Sequence, residues 1–139
     1  MRLDDLNSGL EMLDREECLR LLATQEIGRL AFVIGGHPDV LPVNYTLDGD
    51  AIVIRTDSGR KLEGISRSTV AFEVDEIDRS RHAGWSVVVH GLAQEVTPYD
   101  RQEIVQRVAD LPLHPWAGDK LHVVRLAPTS ITGRRLRQS

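Results

Sequence analysis

Hydrophobic residues along this chain change their spacing twice, and the changes divide it into segments. Residues 1 to about 12 carry no clear period and read as an arm, which leaves 13–139 as one domain. In LDREECLRLLATQ the spacing becomes helical, with Cys18, Leu19, Leu21 and Leu22 forming an apolar stripe. Asp14 stands at the N-cap, Glu17 three residues on completes a capping-box-like pair, and Leu13 and Cys18 occupy the staple positions. Gly28, after Ile27, is expected to release the chain from this helix into a strand.

From Arg29 the period drops to two. RLAFVIG, VLPVNYTL and AIVIRT read as three antiparallel strands joined by turns at Gly35-Gly36-His37-Pro38 and Asp48-Gly49-Asp50. Asp48-Gly49 is expected to fill the two central positions of a type I′ turn, which need positive φ. Pro42 has no N–H to give a ladder, so its strand is expected to be an edge or to bulge there. TVAFEVDEID and WSVVVHGLAQEV add two strands around a loop, RSRHAG.

Thr97-Pro98 then reads as the start of a helix, with Thr97 as cap and Ile104, Val105, Val108 and Leu111 on its apolar face. PLHPWAG closes it. KLHVVRL and TSITGRRL follow as one or two closing strands, with Pro128 at the break. Six or seven short antiparallel strands with flanking helices predict a mainly β protein, a small barrel whose closure removes exposed edges.

Composition narrows what such a barrel can do. Its 139 residues fit one domain, and 17 basic against 21 acidic residues give a net charge of −4, which offers no general attraction to nucleic acid. Arg134, Arg135 and Arg137 read as a solvated tail. The first residues are broken by acids, unlike a signal peptide, and no apolar run approaches the roughly 20 residues of a membrane span, so a cytoplasmic protein with no membrane partner is expected. Cys18 is the single cysteine and reads as a small buried hydrophobe.

Most chemical motifs are missing. His37, His82, His90, His114 and His122 fall into no metal-ligand spacing, and no GxSxG elbow or placed Cys–His pair suggests acyl transfer. His90 and His122 lie in strands, where packing or a cross-sheet hydrogen bond is their ordinary role. Glu73, Asp75, Glu76 and Asp78 read as a wet outer face rather than as an acid–base pair. Trp85 opens a strand and Trp116 lies in a loop; each is a core plug or the rim of a flat-ligand pocket.

The segment AIVIRTDSGRKLEGI is the most specific. A strand runs into Thr56, Asp57, Ser58, Gly59, Arg60 and Lys61 and then into a helix start, which is either a solvated turn or an anion site.

This segment and the order of elements, from Leu13 to Leu136, resemble the pyridoxamine 5′-phosphate oxidase-like split-barrel flavoproteins, in particular their actinobacterial branch of unassigned substrate. The resemblance implies an FMN phosphate held by Thr56, Ser58, Arg60 and Lys61, with Arg55 beside them. Arg60 would offer two parallel donors and Lys61 a point charge, and the amides near Lys61 to Glu63 would add their positive end. It also implies that Pro42, Val43 and Asn44 in LPVNYTL run along the isoalloxazine edge. GWSVVVHGLAQEV resembles the strand that lines the cleft from the second subunit of a homodimer, where Trp85, or Trp116, would limit access of water and oxygen. VVRLAPTSITG resembles the closing strand. Arg134 and Arg135 do not reproduce the family's Arg-x-His substrate motif, so the resemblance does not extend to vitamin B6 oxidation.

The expected function is hydride or electron transfer between FMN and a small molecule. Two alternatives stay open: the deazaflavin F420, its tail met by Arg79, Arg81 and the C-terminal arginines, or a non-catalytic flavin- or haem-binding dimer with His82, His90 or His122 as axial ligand.

Overall fold

The structure, a computed structural model, describes residues 9–56, 60–113 and 122–137, with Arg60 and Lys61 described by their backbone. Among the described residues ten elements follow one another: β1 (Leu10–Leu13), α1 (Arg15–Leu22), β2 (Ile27–Ile34), β3 (His37–Asp48), β4 (Ala51–Thr56), α2 (Arg60–Ile65), β5 (Ser68–Asp78), β6 (Ala83–Val96), α3 (Gln102–Ala109) and β7 (His122–Leu136). The strands are all antiparallel, in the order β1-β7-β4-β3-β2-β5-β6, and β6 pairs back onto β7. Six strands thus close a barrel and β1 lies along its seam. This is the split-barrel architecture.

Alternation along the strands decides what fills it. Leu30, Phe32, Tyr45, Ile52, Ile54, Phe72, Val74, Val87, Val89 and Val124 point inward and are buried. Tyr45 and Phe72 meet edge to face, their ring centroids 4.9 Å apart. Helix α1 begins as its residues require: the Asp14 carboxylate accepts from the Glu17 N–H at 2.8 Å. It contributes Cys18, Leu21 and Leu22 to the core. On the other side of β4, Val53 joins Val108 and Leu113 in a second cluster that seats α3. Short α2 buries Leu62 and Ile65 in the main core. Among the described residues no helix is long and apolar enough to cross a membrane.

Several expectations are corrected. Helix α1 ends at Leu22, and Gly28 lies inside β2, where a Cβ would stand 2.3 Å from Phe72 Cζ; the position needs an absent side chain. The first hairpin turns on Gly35 and Gly36 alone, both at positive φ, and His37 and Pro38 already pair with Ile34 and Val33. The second turns on Gly49-Asp50, because Asp48 pairs with Ala51; only Gly49 has positive φ, as a type II′ turn requires. The loop between β5 and β6 is 79–82, with Ala83 and Gly84 in the strand.

Thr97 does not cap α3. Its N–H and hydroxyl go to the Asp100 carboxylate, closing a separate turn, and the helix starts at Gln102. Pro128 does not break the last strand either. A register shift places Gly91 opposite Pro128 and His90 opposite Ser130, so Thr129 is the extra residue of a bulge and β7 continues through it. Finally, Leu10, Glu11 and Met12 are not a free arm: they pair with Leu136, Arg135 and Arg134. Their order comes from a partner strand, which a local period cannot reveal.

Candidate functional site

The barrel opens between β3 and β4. Their ladder runs from Asp48↔Ala51 to Tyr45↔Ile54 and stops there, while β3 continues along β2 to His37. Pro42 is well placed for this. The Tyr45 N–H bonds to the Glu26 carbonyl on the β2 side at 3.0 Å, so by alternation Pro42 falls opposite Arg29 at a non-hydrogen-bonded pair, where its missing donor costs nothing. The expectation of an edge at Pro42 holds. Val43 is buried in the barrel, whereas Pro42 and Asn44 face outward. Asn44 and Thr46 line a cavity of about 480 Å³, closed by Gln25 and Glu26 after α1 and by Pro112 and Leu113 after α3. Below it, the buried Tyr45 hydroxyl donates to the Leu22 carbonyl at 2.6 Å and pins the end of α1; burial pushes this phenol's pKa well up.

β4 ends beside that opening. In the register of the ladder, Val43 and Thr56 are level. Thr56 is buried, on the same side as Ile52 and Ile54, and the half-buried Arg55 lies on the side of Val53. Arg60 and Lys61 form the first two positions of α2. Ser58 and Trp116 lie outside the described residues.

Thr56 is the cross-strand partner of His122, and Arg55 of Val123. The His122 Nδ1 lies 2.6 Å from Glu95 Oε2 on the neighbouring strand, an arrangement in which the ring nitrogen is the donor. Arg67, at the junction of α2 and β5, has φ 64, unusual for a side chain of its size, and its N–H bonds to the Ala93 carbonyl at 2.6 Å. Ser66, Arg67, Gln94, Glu95, Thr97 and Asp100 surround a polar cavity of about 250 Å³ there.

Trp85 lies elsewhere. It pairs with Glu76 and Arg135 and lines a cavity of about 710 Å³ with Leu10, Ile77, Arg79, His82 and Arg134. His122 and Arg135 lie thirteen residues apart on β7, on the order of 40 Å of strand at about 3.3 Å per residue, so one copy does not bring Trp85 to Thr56.

Between these ends, Glu73 and Asp75 alternate on the outer face but share one cation, Arg29 Nη1, at 3.2 and 3.3 Å. Burial and the adjacent Asp75 push the Glu73 carboxyl up to about 7 despite Arg29, while both carboxylates stay on the outer face with about a third of each side chain accessible, as a wet outer face requires. Asp78 instead accepts from the Ser80 hydroxyl and from the Ser80 and Arg81 N–H groups, and so holds its own loop.

Known proteins decide the family. A family model described as pyridoxamine 5′-phosphate oxidase matches residues 14–135. The chain belongs to that family. An uncharacterized Mycobacterium tuberculosis protein is 37% identical over 131 residues, 89% of this chain and 84% of that one. The FAD binding protein from Mycobacterium smegmatis superposes with a TM-score of 0.78 at 30% identity, covering 91% of this chain and 98% of that chain. A FAD-binding protein from Mesorhizobium loti gives a TM-score of 0.75 at 25% identity, covering 93% and 98%. Superpositions over more than nine-tenths of the chain show the shared split-barrel fold. His122 makes the cross-sheet hydrogen bond expected of a strand histidine; its partner Glu95 was not legible, because the two are 27 residues apart and meet only through the β6–β7 register.

Proposed function

We propose that this protein is a homodimeric flavin-dependent oxidoreductase that binds the FMN moiety at the β3–β4 opening and transfers a hydride or electrons to or from a small molecule. The observation that carries this reading is the convergence at that opening. The β3–β4 ladder stops at Tyr45, the level residues are Val43 and Thr56, and a cation pair begins the next helix four residues after Thr56.

The residues suit the ligand. A phosphate monoester carries close to two negative charges at neutral pH, and an arginine beside a lysine offers a forked pair of donors and a point charge. Helix α2 has six residues, so the two side chains, rather than a long helix dipole, carry the attraction. Arg55, Thr56 and Ser58 would complete the phosphate end. Pro42, Val43 and Asn44 would border the ring with backbone that β4 leaves uncovered. A flavin supplies the redox chemistry itself, which fits a chain without an acyl-transfer triad. The protein's work is to bind, orient and shield. Shielding would fall to Trp116 and to Trp85 of the second copy.

The proteins from M. smegmatis and M. loti that bind FAD favour a second reading of the ligand's size. FAD contains the FMN moiety, so the same phosphate end would serve, with an adenylate extending beyond it.

Retention of flavin tests the reading. Protein loaded with FMN and washed should keep the visible bands of an oxidised flavin, and Arg60→Ala with Lys61→Ala should weaken FMN binding by roughly tenfold or more. Unchanged retention in the double variant would overturn the assignment of the phosphate end; loading with FAD in parallel decides the ligand's size.

A further inference from the structure

The cavity of about 710 Å³ beside Trp85 has no ligand in the reading above, although it is the size of a small-molecule site. Its floor follows from the ladders. Ile77 pairs with Gly84, Gly84 with Leu136 and Leu136 with Leu10, so four strands place one row on the face opposite that of Val87 and Val89. Gly84 leaves a gap in the row: a Cβ there would stand 2.6 Å from the Glu76 carbonyl oxygen and 2.8 Å from Ile77 Cδ1. Three aliphatic side chains border the gap, and Ile77 is 63% exposed, an apolar surface left to water.

The rim is cationic. Arg134 pairs with Ser86 in the next row, and Arg79 and His82 come from the loop between β5 and β6. Arg135 and Arg137, Arg134's neighbours along the chain, meet Glu17 at 2.8 Å and Glu11 at 3.6 Å. Among the described residues Arg134 and Arg79 make no ion pair and no side-chain hydrogen bond. The carboxylate that lines the cavity, Asp78, is already taken. It accepts from the Ser80 hydroxyl at 2.8 Å and from the Ser80 and Arg81 N–H groups at 3.1 and 3.2 Å, bonds that hold its pKa below the ordinary 3.8. Exposed arginines are ordinarily just solvated. Here two unpaired ones flank a row of aliphatic side chains, and that combination selects a ligand with both parts.

We propose that this cavity binds an organic anion, a carboxylate on a flat apolar body of about two fused rings. The body lies along Ile77, Leu136 and Leu10, where strand backbone floors the gap at Gly84. The carboxylate meets Arg134 and Arg79, whose planar forks match its two oxygens, and His82 adds a ring N–H at the rim. The inference goes beyond the flavin reading and does not depend on it: no residue of the β3–β4 opening lines this cavity, and Thr56 lies at the other end of β7.

The test uses 2-naphthoate and 2-naphthamide, the same rings with and without the charge, titrated calorimetrically into the full chain, with urea unfolding to show that each variant folds. Wild type should prefer the naphthoate by roughly tenfold. Arg134→Gln and Arg79→Gln should each reduce that preference to about threefold and the double variant should abolish it, a few-fold for each exposed charge. Ser86→Phe, which puts a ring into the cavity from its own strand, should weaken both probes by roughly tenfold. FMN at saturation should leave naphthoate binding within about twofold, since the two sites are separate.

Equal affinities in wild type, a preference that survives the double variant, or no naphthoate bound, as when a second copy covers the cavity, each overturns the inference and spares the flavin reading. Displacement of naphthoate by FMN overturns it as well, by giving the cavity to the flavin. Naphthoate bound with the expected preference by a protein that refuses FMN would remove the flavin reading and sustain this one.

Discussion

Asp48 shows how one residue joins the hairpin to the rest of the barrel. It precedes the Gly49-Asp50 turn, is 7% exposed, and takes Arg107 Nε at 2.6 Å and Arg125 Nε at 3.0 Å. Burial alone would raise its carboxyl pKa; the two guanidiniums outweigh it and hold the pKa below the ordinary 3.8. The native state therefore binds this proton less readily than the unfolded chain. The stabilisation is present above the unfolded value and is lost as pH falls through the lower native one. Asp48→Asn should cost about 1–3 kcal/mol at neutral pH, between the cost of losing an exposed pair and that of breaking a buried one, because Arg107 is half exposed. Urea unfolding at neutral pH and at about pH 3 should show the gap between variant and wild type narrowing in acid. A gap that stays constant would mean that the carboxylate's charge contributes nothing.

Elements were legible where one segment decides its own structure. Asp14 and Glu17 announced α1, alternation announced the strands, and Pro42 announced an edge, because capping and pleat geometry are local. What stayed hidden is what a second segment imposes. Thr97 looks like a cap until Asp100 takes its donors, Leu10 to Met12 look irregular until β7 pairs with them, and no spacing joins His122 to Glu95. The candidate site could be named from the sequence as a cluster of residue types, Thr56 with Arg60 and Lys61, but the parting of β3 from β4 beside Thr56 could not. Gly28 is the clearest case. It reads as a helix stop and is in fact the floor beneath Phe72, a ring that is fully buried and wedged against Tyr45. Gly28→Ala should therefore destabilise by about 1–3 kcal/mol through overpacking, although alanine usually favours order over glycine. Adding Phe72→Leu should recover part of that cost in the double variant, a coupling visible in urea midpoints. Independent, additive effects would show that the ring moves aside freely.

At the scale of the whole molecule, the two halves of the expected site lie at opposite ends of β7: Thr56 beside His122, and Trp85 beside Arg135. A single barrel cannot bring them together, but two copies related by a two-fold axis can exchange ends. The surface between them suits contact. Val40, Ala31, Ala71 and His90 form one cross-strand row on the outer face, next to Arg29, Glu73 and Val88, and Val33 and Val40 are 58% and 59% exposed. If each flavin is held by Arg60 and Lys61 of one copy and Trp85 of the other, two defective chains should repair each other. Arg60→Ala with Lys61→Ala breaks one half, and Trp85→Ala breaks the other. Each variant alone should lose flavin. Mixed by co-expression, half of the dimers are expected to pair unlike chains, and each such dimer holds one site with both halves intact. Flavin content should then return to about a quarter of the wild-type level. No recovery, a Trp85→Ala variant that keeps its flavin, or a wild type that scatters light as a monomer would each defeat the exchange, because complementation requires a site that neither chain completes alone.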